Sequence, residues 1–156
     1  MRDGIDDTPE AILASFVTAA DVRSGLLITK EGSVLARAGD LSYLDPTAMA
    51  ALVAGMFSAT REVARMVGEH QFSILLQQGE NRHIHISLTT GTTMLVAIFE
   101  DYQRIGRVRY EARKIEQRLA EVIKASADPQ RVRGELSMVD FKEGAFHRID
   151  RIFSED

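Results

Sequence analysis

The chain is 156 residues long, enough for one domain that buries about two thirds of the surface of its unfolded form, so folding requires neither metal nor disulfide. With 45% hydrophobic and 27% charged residues, a formal charge of -4 and no cysteine, it has the composition of an ordinary soluble globular protein. That composition excludes disulfide stapling, supplies no run of the roughly 20 apolar residues a membrane span needs, and lacks the basic excess that binds a phosphate backbone. The opening "MRDGIDDTPE" is acidic and lacks the basic-then-apolar order of an export signal, so a cytoplasmic protein is expected.

The first helix is marked by "DDTPEAILASFVTAADV". Thr8 or Asp7 can cap it, Pro9 suits its first turn, and Ile12, Leu13, Phe16, Val17 and Ala20 recur at helical spacing. "SGLLIT" and "SVLARA" follow as a hairpin split by Lys30-Glu31-Gly32, where glycine can take the left-handed conformation of a three-residue loop. The second helix opens at Asp45-Pro46, an N-cap and first-turn pair. Its core stripe is expected to be Met49, Leu52, Val53, Met56, Phe57, Val63, Ala64 and Val67. Its other side, Ala50, Ala51, Ala54, Gly55, Ser58 and Ala59, is small or apolar, which an exposed helix usually is not. Small residues at that spacing let another backbone come close, so a second contact is expected there.

Three strands come next: "FSILLQQ", then "RHIHISL" after Gly79-Glu80-Asn81, then "TTMLVAIF" after the turn around Gly91. The unbroken apolar run "MLVAIF" marks a central strand covered on both faces. The third helix, "RIGRVRYEARKIEQRLAEVIK", is amphipathic, with Ile105, Val108, Ala112, Ile115, Leu119 and Val122 on one side. "ASADPQRVRGELS" reads as a linker through Asp128-Pro129 and Gly134. A short amphipathic tail helix, weakened by Gly144, follows around Phe146, Ile149, Ile152 and Phe153. The order α-β-β-α-β-β-β-α plus tail is α+β: a five-stranded antiparallel sheet with helices on both faces.

Candidate chemistry is sparse. His83 and His85 point the same way from one strand, as two zinc ligands would, but a site needs at least a third ligand, and no HExxH or cysteine spacing supplies it. They are taken as the less apolar face of a strand, with a metal hydrolase as the rival. No nucleophile elbow, phosphate loop or dinucleotide fingerprint is present. Arg104, Arg107, Arg109, Arg113 and Arg118, interleaved with Glu111, Glu116 and Glu121, are read as a solvated helix face rather than an arginine finger for a GTPase.

With this order of elements, "GLLITKEGSVLARAGD", "LVAGMFSATREVARMVGE" running into "FSILLQQGE", and "LVAIFEDYQRIGRVR", the chain resembles the Roadblock family over about residues 8 to 124. Within it the chain is most similar to MglB-type bacterial polarity proteins, including an acidic-aromatic tail, "IDRIFSED". The resemblance implies a profilin- or longin-like three-layer fold, with a Roadblock domain over 1–124, a linker over 125–137 and a tail over 138–156. It also implies a homodimer in which second helices pack together and third strands pair edge to edge. The implied partner is a small Ras-like GTPase of the MglA type, stimulated by repositioning its own catalytic residues. The chain itself would then have no catalytic residue, metal or cofactor, and no nucleic-acid or membrane partner. A role in cell polarity and motility, with polar placement through partners, belongs to the same implication. Carried onto this sequence, the dimer and GTPase surface is Ala51, Ala54, Gly55, Ser58, Ala59 and Glu62, with Phe72, Ile74 and Leu76 on the pairing strand. The tail, through Phe146, Ile149, Ile152 and Phe153, would modulate nucleotide exchange. The alternative is a dimeric scaffold that binds partners without changing hydrolysis.

Overall fold

The computed structural model describes residues 8–126. It contains α1 (Pro9–Ala20), β1 (Ser24–Thr29), β2 (Val34–Gly39), α2 (Pro46–Met66), β3 (Ile74–Gln78), β4 (His83–Leu88), β5 (Thr93–Phe99) and α3 (Ile105–Ser126). The five strands form one antiparallel sheet in the order β2-β1-β5-β4-β3. This is the α+β arrangement expected from the sequence, with helices on both faces. The chain divides into two units at Val122/Ile123, and the described part of the second is only the end of α3.

Local chemistry sets the element ends. Thr8 caps α1 by accepting from the Ala11 N–H at 3.2 Å, and Asp45 caps α2 by accepting from Thr47 and Ala48 at 3.0 and 3.3 Å. At the far end of α2, Gly68 N–H donates to Arg65 C=O at 3.2 Å and Glu69 N–H to Ala64 C=O at 2.9 Å. With Gly68 at φ +84°, this is a Schellman closure that uses glycine's tolerance of the left-handed region. Thr29 N–H donates to Ser33 C=O at 2.9 Å, which leaves Lys30-Glu31-Gly32 as the hairpin loop, Gly32 at φ +93°.

The strand register sorts side chains onto two faces, because residues directly opposite in antiparallel strands point the same way. One ladder runs Leu26–Val96–Ile86–Leu75 and faces α2. The other runs Gly25–Ala97–His85–Leu76 and faces α1 and α3. α1 seats closely on that second face, since a Cβ on Gly25 would come 3.0 Å from Val17 and 3.2 Å from Leu13. β5 is buried along its whole length at the centre of the sheet, as its apolar run predicts.

The α2 stripe differs from expectation. Ala50, Val53, Ala54, Phe57 and Ala64 are buried, whereas Leu52, Val63 and Val67, assigned to the core, are exposed. The reason is geometric. Alanines at 50 and 54 let the helix lie close to the sheet, and Val53 and Phe57 fill the space between, which rotates the larger aliphatic residues outward.

Two glycines separate backbone strain from crowding. Gly39 has φ +82°, and a Cβ there would sit 2.3 Å from Arg23 C=O, whereas Gly68 has φ +84° with no atom within 4 Å. Gly68→Ala is expected to lose about 1 kcal/mol of stability, the left-handed cost alone, and Gly39→Ala at least about twice that. Urea denaturation of the two variants checks the difference, and equal losses would contradict it.

Candidate functional site

The outward face of α2 carries Ala51, Gly55, Ser58, Ala59 and Glu62 as expected, and adds three large side chains missed in the sequence: Leu52 at 73% exposed, Val63 at 53% and Met66 at 86%. Positions 52, 55, 59, 63 and 66 follow one another at three- and four-residue spacing, so they form a continuous stripe along the helix. Ala54 does not belong to it. At 7% exposed it packs into the sheet side with Ala50, so its place in the expected surface is corrected to the core. Gly55 is exposed, and a Cβ built there meets nothing within 4 Å, so packing within this subunit does not require a glycine. Glu62 forms an ion pair with Arg65 at 3.2 Å beside the stripe.

Among the described residues β3 is an outer strand of the sheet, hydrogen-bonded to β4 on one side only. Ile74 lies opposite Ser87 and Leu76 opposite His85, which puts both on the α3 face and not beside the α2 stripe. Leu75 and Gln77 are the β3 residues on the α2 side: Leu75 packs against the core there and Gln77 Nε2 donates to Met56 Sδ at 3.0 Å. Phe72 precedes the strand and is half-buried. The strand and α2 are therefore joined at the sheet's edge through the side chains of Leu75 and Gln77 rather than those of Ile74 and Leu76. The tail residues Phe146, Ile149, Ile152 and Phe153 lie outside the described residues.

The histidine strand is more deeply covered than a polar strand face would be, with both rings buried. His83 Nδ1 accepts from Gly79 N–H at 3.2 Å, and its ring lies tilted against Phe99 at 5.3 Å and edge-on to Tyr102 at 5.2 Å. His85 is 1% exposed, and both its nitrogens lack a hydrogen-bond partner among the described residues. Burial first, then the positive charge of Arg109, pushes its pKa down to about 4. Among the described residues no three or more His, Asp or Glu side chains are grouped to hold a metal ion.

Arg107, Arg109, Arg113 and Arg118 are exposed on α3, as the solvated-face reading has it, and Arg104 precedes the helix. Arg107 Nε donates to Ala19 C=O at 2.7 Å and Arg104 Nη1 to Asp21 C=O at 3.0 Å, satisfying carbonyls that the end of α1 leaves open. Arg109 and Arg113 instead border a cleft with His85, where burial raises the Glu116 carboxyl and Arg113 opposes that rise.

A five-stranded antiparallel sheet with α2 on one face and α1 and α3 on the other defines a profilin-like three-layer α+β protein. The Roadblock/LC7 domain model matches residues 9–99, and the chain belongs to that family. Among solved structures, MglB of Myxococcus xanthus superimposes with a TM-score of 0.73 at 23% identity, over 80% of this chain and 94% of that one. The gliding protein MglB of Thermus thermophilus gives 0.71 at 24% identity, over 80% and 95%. A Schizosaccharomyces pombe profilin gives 0.55 at 12% identity, over 74% and 98%. At such low identities these likenesses speak for the fold alone. No curated protein matches in sequence.

His85 makes stability depend on pH in a calculable direction. Its folded pKa of about 4 lies below the ordinary 6.5, so between these values the unfolded chain takes up a proton that the folded one does not. The contribution of the neutral ring is complete above pH 6.5 and is lost as pH falls toward 4. Between pH 7 and pH 5 the loss is on the order of 2 kcal/mol. Urea midpoints at the two pH values measure it, and His85→Phe should remove that share. An unchanged pH dependence in the variant would contradict the assignment.

Proposed function

We propose that this chain is a homodimeric regulator of a small Ras-like GTPase of the MglA type, with no catalytic group of its own. The observation that carries this reading is the outer stripe of α2, where Leu52, Val63 and Met66 stand exposed around Gly55 and Ala59. Burying each of the three larger side chains is worth about 1.5–3 kcal/mol, and that gain is forgone in a lone subunit. A glycine in a helix interior costs about 1 kcal/mol relative to alanine, and Gly55 serves no internal contact, so its small size is suited to a close approach from outside. A second α2 meets both needs. The outer edge of β3 pairs with no strand among the described residues, and pairing with another β3 satisfies its backbone groups.

Likeness to the MglB structures, one of them described as having a tetrameric arrangement, supports an assembly of copies. In such a dimer Ala51, Ser58 and Glu62 flank the joined helices and form the GTPase platform. Phosphoryl transfer to water is accelerated chiefly by holding the attacking water and the charge-stabilising groups in place. A rigid platform that orders the GTPase's own loops therefore stimulates hydrolysis without donating a residue. In this reading the tail after residue 137 touches the same GTPase away from the platform through Phe146, Ile149, Ile152 and Phe153, and cytoplasmic polar placement follows from the partner.

Sedimentation and phosphate release, measured with an MglA-type GTPase from the same genome, test the reading. Leu52→Glu and Ala59→Arg replace exposed residues, so subunit stability should stay within about 0.5 kcal/mol, while dimerisation and stimulation fall at least tenfold. Binding with an unchanged hydrolysis rate would select the passive scaffold. A wild-type monomer that binds neither nucleotide state would end the proposal.

A further inference from the structure

On the sheet face opposite α2, a cleft of about 300 Å³ lies between α3 and the β3–β4 end of the sheet. Its sheet-side wall holds His85 and Ser87, each 1% exposed. Both imidazole nitrogens and the serine hydroxyl lack hydrogen-bond partners among the described residues. An unsatisfied buried polar atom costs about 1–3 kcal/mol, so a fold that keeps three of them side by side maintains polar chemistry where a leucine would pack more favourably. The helix-side wall supplies Arg109 and Arg113, one turn apart, with the Glu116 carboxyl in electrostatic contact with Arg113. Ile74, Tyr110 and Ala112 make the rest of the lining largely apolar.

We propose that this cleft binds a small organic monocarboxylate with an apolar or aromatic body, held by Arg109 and Arg113 together with the His85 and Ser87 hydrogen-bonding groups. Planar guanidinium groups match a carboxylate through paired charge-assisted hydrogen bonds. Neutral imidazole and hydroxyl each add a donor on the opposite wall. Glu116 also borders the cleft, so with two arginines and a neutral His85 the local charge is +1 (two positive less one negative), which suits a monoanion better than a phosphate dianion. The volume is at the small end of ligand sites, which sets the ligand's size. Ile74 and Tyr110 then cover its body. The inference uses no residue of the α2 stripe and shares only Ile74, on the edge strand β3, with the regulator reading.

Titration of the full-length, histidine-labelled protein with phenylacetate, followed by NMR at the His85 ring, tests the site. Phenylacetate should shift that resonance saturably, with at least tenfold weaker binding for neutral phenylacetamide and for inorganic phosphate. Arg109→Gln, an exposed helix position, should weaken phenylacetate binding at least tenfold. Gly106 lines the cleft with no atom within 4 Å of where a Cβ would sit, so Gly106→Leu should keep the fold and also weaken binding at least tenfold. No saturable shift, an equal response to phenylacetamide or phosphate, or undiminished binding in both variants would overturn the proposal.

Discussion

Helix α2 lies close on the sheet because alanines 50 and 54 are what it turns toward it. The close fit is reinforced at the first hairpin, where a Cβ on Gly32 would come 3.0 Å from the Cα of Ala51. A helix has a fixed angular period, so pointing these small side chains inward commits Leu52, Gly55, Ala59, Val63 and Met66 to the outside. The inner contact and the outer surface are therefore one constraint seen from two sides. Replacing Ala50 or Ala54 by a larger residue would push α2 away from Leu26, Ile86 and Val96 and alter the outer stripe at the same time.

The opposite face of the sheet is organised by charge and polarity as well as by packing. Arg104 and Arg107 tie the start of α3 to the end of α1, which fixes α3 over the His83 and His85 strand. At the sheet's other margin, Arg23 bridges Asp40 at 3.1 Å and also pairs with Glu100. The guanidinium groups of Arg23 and Arg82 both lie over the Tyr43 ring, at 4.6 and 4.5 Å. Arg23 is half-buried and its carboxylate partners are exposed, so these ion pairs contribute little stability individually. The two faces thus have different characters: an aliphatic core under α2, and a partly polar layer under α3 that leaves an open cleft.

Much of this was legible in the sequence because the signals were local. The Thr8 and Asp45 caps, the Gly32 loop and the uninterrupted strand from Met94 to Phe99 depend on neighbouring residues, and each appears where the residues placed it. The phase of α2 was not legible from the assumption that large aliphatic residues point inward, because the sheet selected alanines and left Leu52 and Val63 outside. Nor does a strand reveal which of its two faces meets a given helix. Ile74 and Leu76 share the His85 face only because β3 pairs with β4 in the observed register. The arginine caps on α1 and the cleft at His85 join residues far apart in sequence, so no local pattern announced them.

The central claim, that another polypeptide covers the outer stripe of α2, can be tested with one thiol. The chain has no cysteine, so Ala59→Cys places a single probe at the middle of the stripe. Maleimide labelling of the full-length protein at micromolar concentration is predicted to be at least tenfold slower than at a Gln117→Cys control on exposed α3, and to speed up on dilution as the assembly dissociates. Equal labelling rates at the two positions, unchanged by concentration, would contradict the account.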